Sequence, residues 1–287
     1  MSTLGRRQRL GLAIGLLAFL LLALAYVPTL RWLWTTWLGD PYYSHGLLLP
    51  LVSLFLVWRR ETTQPVGPGL DCDLPPVVWI AGLALLAACY GLNLLALRSV
   101  LYPASALCLL VSMAALALPL QGGSGLRRHA FALALLLLAI PIPQLERWTP
   151  VLARSVAGIA AESASLLGLD VAREGARLML PSVELVIGAP CSGINSLLAM
   201  LSLGAVYAHL LSRSWPRRLA LFLCAVPIAL LSNYLRVMLL LLTAATLGMG
   251  RTLTLIHDLS GLFLFVLSAG LLIVVGRALR CGSVRAI

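Results

Sequence analysis

The sequence predicts an all-α polytopic membrane protein, with about eight transmembrane helices and a small extracytoplasmic helix and β-hairpin before the sixth span. Three observations predict it. Of 287 residues, 61% are apolar and only 11% charged, against roughly a quarter charged in soluble domains. Apolar stretches recur at or near the roughly 20 residues that cross a bilayer. The basic residues, all arginine, cluster in short segments between those stretches. A net charge of +11 would suggest nucleic acid in a soluble chain; here it sets orientation, so no nucleic acid is expected and membrane lipids are the surroundings. With no lysine, Schiff-base and Lys-nucleophile chemistry is excluded.

Each element follows from hydropathy in turn. Arg6, Arg7 and Arg9 precede an apolar run from Leu10 that is too long for a cleaved signal and lacks a small-residue cleavage site, so it reads as a retained first span. The spans are expected at about 10–28, 44–58, 77–97, 99–119, 129–143, 191–211, 219–249 and 257–276, within a single domain over 1–287. The fifth is interrupted by Pro141 and Pro143. The seventh is about 46 Å long as one helix. It is expected to tilt, to bend or break near Ser232-Asn233, or to project beyond the lipid.

Alternate threading with the N-terminus inside places thirteen arginines on the inner face and seven on the outer, with Arg236 within a span. That asymmetry predicts N-in and C-in. Trp32, Trp34 and Trp37 then fall at the outer interface, where indole rings favour the headgroup level. Residues 144–190 form the one sizeable extramembrane segment, and it lies outside. Leu145 to Leu167 carries apolar residues at helical spacing, which predicts an interfacial helix or one packed across the bundle mouth. After Gly168-Leu169-Asp170, residues 178–188 read as a β-hairpin turning at Pro181-Ser182 and leading to Cys191.

The polar residues in this setting are the candidates for chemistry. Cys191 opens Cys191-Ser192-Gly193 at the outer start of span six, where unpaired backbone N–H groups favour a thiolate and can hold an oxyanion. Cys72, Cys89, Cys108, Cys224 and Cys281 show no paired spacing with it, so neither a disulfide framework nor a zinc site is expected. Arg236 is a charge within a span, which calls for a partner and a function. Asn233 lies one turn earlier on the same helical face. His257 begins the last span on the same outer side, and Asp258 beside it suits a first helical turn. His45, in Tyr42-Tyr43-Ser44-His45-Gly46, is the rival base; His129 and His209 do not share the face of Cys191. A transporter lined by Arg236 and His257 would show inverted repeats, and none is evident. A membrane acyltransferase using His257 or His45 is the other alternative.

The chain resembles the exosortases and their archaeal counterparts, the archaeosortases. The resemblance rests on Cys191-Ser192-Gly193 after a short strand pair, Asn233-x-x-Arg236, His257-Asp258-x-x-Gly261 and Tyr43-Ser44-His45-Gly46, in that spatial setting. It implies a membrane cysteine transpeptidase with Cys191 as nucleophile, Arg236 as oxyanion stabiliser and His257 as general acid/base. Asn233, Ser192, Gly193 and His45 are expected in support. It also implies partners: exported proteins with a C-terminal Pro-Glu-Pro-like motif, one transmembrane helix and a basic tail. The location it implies is the bacterial inner membrane, with the site on the periplasmic side. No cofactor or metal is expected, because no HExxH or carboxylate cluster is present.

Overall fold

A computed structural model describes residues 6–63, 75–181, 183–188, 191–211, 214–247 and 251–279. The chain is mostly helical and falls into two compact units, Met1–Pro141 and Ile142–Ala286. Among the described residues four helices are long and apolar enough to cross a membrane by length and composition, or five with one bent pair taken as a single span. Large apolar side chains face outward along them, Leu83 at 63% and Leu262 at 67% exposed among others. Such surfaces match lipid, where only backbone polar groups need internal partners.

The first unit contains α1 (Arg6–Ala25), α2 (Val27–Gly39), α3 (Leu48–Thr63), α4 (Pro76–Arg98) and α5 (Tyr102–Leu135). α1 covers most of the span expected at 10–28, and at Tyr26 the chain bends by 69° into α2, which lies largely beyond it. Pro28 sits in the first turn of α2, where its missing N–H costs least. The break is secured by buried polar groups: Asn93 donates its amide to the Ala25 carbonyl, Ser105 bridges Asn93 and Thr29, and Tyr26 Oη pairs with Ser112 Oγ at 3.1 Å. The sequence predicted separate spans at 99–119 and 129–143, with an inner loop carrying Arg127 and Arg128. Helical backbone extends over Tyr102–Leu135, followed by a 3₁₀ turn at Leu136–Ala139, but it is not one straight rod. Leu33, Ala106 and Ile140 form one buried cluster, which a straight helix, holding the last two more than about 40 Å apart, does not allow. The chain therefore doubles back between its two apolar runs.

The second unit holds α6 (Thr149–Leu166), the strands β1 (Ala172–Glu174), β2 (Arg177–Leu180) and β3 (Val183–Val186), then α7 (Ile194–Leu210), α8 (Trp215–Leu247) and α9 (Arg251–Ala278). α8 is its axis. It is one continuous helix of 33 residues with Pro227 inside it, and it does not break at Ser232-Asn233. At about 1.5 Å per residue it is roughly 50 Å long, well beyond the roughly 30 Å hydrocarbon core.

Two apolar clusters lie along α8. The first joins Leu221, Ala225, Ile228 and Ala229 of α8 to Met200 and Ala208 of α7 and Leu272 of α9. Close approach there depends on Gly204 beside Ala225 and on Gly276 beside Tyr207. The second joins Val237, Leu240, Leu241 and Ala244 of α8 to the alanine face of α6, to Leu178 and Ile187, and to Cys191. The alanines 153, 157, 160, 161 and 164 are buried, which lets α6 pack close to α8. Asn233 and Arg236 fall between the two clusters.

The predicted hairpin is present within a larger antiparallel sheet, order β1-β2-β3. Leu180 pairs with Val183 across Pro181-Ser182, of which Ser182 lies outside the described residues. The added strand, β1, pairs Glu174 with Arg177 across Gly175-Ala176, and Gly175 takes φ +62 at the first turn position. β1 has only three residues, all exposed, and so shows no alternating pattern in the sequence.

Candidate active site

The nucleophile candidate stands in a short turn built for it. Its backbone N–H donates to the Gly188 carbonyl at 3.0 Å, and α7 begins three residues on, at Ile194. Gly193 is the N-cap residue, with φ +91, a left-handed conformation that glycine adopts at no steric cost. An ideal Cβ on Gly193 would lie 2.9 Å from Asn233 Nδ2, so the glycine also admits the Asn233 amide. That amide, 2% exposed, donates to the Cys191 carbonyl at 2.9 Å. The N-cap makes no side-chain hydrogen bond, and Ser192 is buried beside it. The first-turn amides of α7 have no intrahelical acceptor.

Cys191, Arg236 and His257 meet at this turn. Cys191 Sγ lies 3.6 Å from His257 Nε2. An Arg236 guanidinium nitrogen lies 3.4 Å from the same Nε2 and donates to the His257 carbonyl at 3.0 Å. Arginine only donates, so Nε2 is the acceptor in its contact with Arg236. The His257 carbonyl also accepts from Ser260 Oγ at 3.1 Å.

Gly261 gives the guanidinium its place: an ideal Cβ there would stand 3.2 Å from an Arg236 terminal nitrogen and 3.3 Å from its Cζ. Ser260 and Gly261 are the residues that sequence reasoning left without a role. Their spacing of three and four residues from His257 on one helix is the signal that could have found them.

Two expectations need correction. His257 does not begin its helix, because α9 starts at Arg251; Asp258 is therefore past the first turn and outside the reach of the helix dipole. The other concerns the thiol of Cys191, in the turn ahead of α7, where the helix terminus is not the only influence. Burial pushes it above the ordinary thiol range, and the Arg236 charge offsets only part of that rise. The expectation counted the helix terminus and omitted the cost of desolvating a charge beside Val237 and Ile187.

His45 belongs to the first unit. It lies in a 3₁₀ segment, Pro41–Leu47, with Nε2 3.3 Å from the Leu138 carbonyl, and the neighbouring Gly46 packs on the Trp37 indole.

No curated protein and no solved structure matches this chain. The model of the transmembrane exosortase family, however, matches residues 34–274, which takes in Cys191, Arg236, His257, Asn233 and His45, and the chain belongs to that family.

Proposed function

We propose that this exosortase-family membrane protein is a cysteine protease and transpeptidase whose reacting groups are Cys191, Arg236 and His257. The observation that carries the reading is the 3.6 Å approach of Cys191 Sγ to an imidazole nitrogen that also faces a guanidinium. A long sulfur–nitrogen contact of this kind shortens when substrate fills the site.

The resting pair is a neutral thiol and a neutral imidazole. As the thiol approaches the scissile carbonyl, its proton passes to His257 Nε2 and sulfur bonds to the carbonyl carbon. The tetrahedral oxyanion is stabilised by Arg236, with the first-turn amides of α7 as further donors. His257 returns its proton to the leaving amine, and a thioester to Cys191 remains. An incoming nucleophile then gives its proton to His257, attacks the thioester, and regenerates the thiol. Asn233 holds the Cys191 carbonyl throughout, and Gly193 shapes the turn. His45 has no step in this scheme.

Orientation follows from charge. Arg213 falls between α7 and α8 in the sequence and Arg217 and Arg218 in the first turn of α8, while Cys191 stands at the opposite end of α7. The positive-inside tendency then puts Cys191 on the periplasmic side of a bacterial inner membrane, N-in and C-in. A substrate with its own transmembrane helix, a Pro-Glu-Pro-like motif and a basic tail would present its cleavage point at that level. The test is processing of such a substrate in vesicles: Cys191→Ala should stop it and trap no thioester, while membrane insertion of the enzyme is unchanged. Continued cleavage by that variant would remove Cys191 as nucleophile.

A further inference from the structure

Below the guanidinium, between α7, α8 and α9, lies a small chamber lined by Ser196, Met200, Ser232, Asn233, Arg236 and Ser268, closed by apolar residues of α8 and α9. About 10 Å³ of it is open to the centre of a water molecule, close to the roughly 10–15 Å³ that one bound water requires. Its wall is unusually polar for a membrane bundle, and the polarity is arranged. Asn233 is 2% exposed and its Nδ2 is used by the Cys191 carbonyl, yet its Oδ1 is buried with no hydrogen-bond partner among the described residues. Ser232 and Ser268 both donate their hydroxyl protons to the Leu264 carbonyl, at 3.3 and 2.7 Å. Their oxygens are thereby turned to acceptors. Arg236, which only donates, also lines the chamber.

We infer that this chamber binds one ordered water that links Asn233 to Arg236. The water donates to Asn233 Oδ1 and to a serine oxygen, and accepts from the guanidinium. Its two protons and its lone pairs then match the wall, and the buried Oδ1 no longer bears the desolvation cost of an unmade bond. The residues of Asn233-x-x-Arg236 become one hydrogen-bonded unit running from the Cys191 carbonyl through amide, water and guanidinium to the His257 carbonyl. Asn233, Ser232 and Ser268 are on this account positioning residues for Arg236. That positioning role rests on the proposed transpeptidase reading; the hydration of the chamber does not.

X-ray radiolysis of the full-length protein in nanodiscs, read by mass spectrometry, tests the hydration. Radicals generated from a bound water oxidise the side chains that enclose it. Met200 lines the chamber at 1% exposure, whereas Met238, at 7%, belongs to the apolar cluster with α6. Met200 should therefore be oxidised faster than the more exposed Met238, and Ser268→Val, which fills the chamber and removes an acceptor, should suppress that labelling. Ser232→Val provides the same test from α8 if Ser268→Val inserts poorly. Met200 labelling no faster than Met238 overturns the inference, as does labelling that persists in the filled variant. For the positioning role, Ser268→Val should lower kcat for a membrane-anchored sorting-signal substrate with KM unchanged, and unchanged kcat overturns that role. A wild-type protein that labels at Met200 but never cleaves the substrate would refute the proposed function while leaving the water in place.

Discussion

The space in which a Gly193 side chain would stand is occupied by the Asn233 amide, whose Nδ2 lies 2.9 Å from an ideal Cβ at that position. The motif that bears Cys191 and the motif that bears Arg236 thus fit each other at the residue level. Gly193→Ala must accept both a left-handed φ and this collision, a destabilisation of about 2–3 kcal/mol. Asn233→Ala leaves the buried Cys191 carbonyl without its donor, at about 1–3 kcal/mol. Because Asn233→Ala also clears the space, the double variant should lose less than the sum of the two, as read from thermal unfolding in detergent. Strict additivity would refute the interlock.

Gly261→Ala separates stability from activity. Alanine favours a helix interior over glycine by about 1 kcal/mol, so the thermal midpoint should hold or rise. The added methyl stands 3.2 Å from the guanidinium of Arg236 and displaces it, which should lower kcat by about 10- to 100-fold. Activity equal to wild type would mean that the guanidinium position is not critical.

The thiol can be followed through its chemistry. Only the thiolate alkylates, and burial holds the Cys191 proton to higher pH than an ordinary thiol. Iodoacetamide reactivity at Cys191 should therefore rise with pH along a curve displaced to the alkaline side of a free cysteine. Arg236→Ala removes the one contribution that lowers the value, so its curve should move further alkaline. A shift toward acid in that variant would contradict the arrangement.

Val100 offers a prediction away from chemistry. It is a β-branched residue at φ +56, 68% exposed, in the turn between α4 and α5. The left-handed conformation costs such a residue about 1–2 kcal/mol. Val100→Gly should raise the thermal midpoint by the equivalent of about 1 kcal/mol after the added chain entropy of glycine, with substrate processing unaltered.

The motifs of the candidate site were legible because lipid makes polar residues expensive: Arg236, Asn233 and His257 stand out in apolar surroundings, and Cys191 marks a boundary. The helix-and-hairpin segment before α7 was legible from periodicity. What the sequence concealed has physical causes. β1 is too short and too exposed to alternate. α9 begins six residues before His257, since nothing near Arg251 marks a helix start. Gly261 and Ser260 matter through the space and the hydrogen bond they supply, and neither can be read without a partner helix in view.

His257 resides on α9, whereas the thiol stands in the turn ahead of α7 and the guanidinium on α8. On the proposed reading, the growing chain therefore carries Cys191 and Arg236 before it carries His257. The protein then stays inert in the translocation machinery until α9 has entered the bilayer, and a product that stalls before that segment is silent rather than indiscriminately reactive.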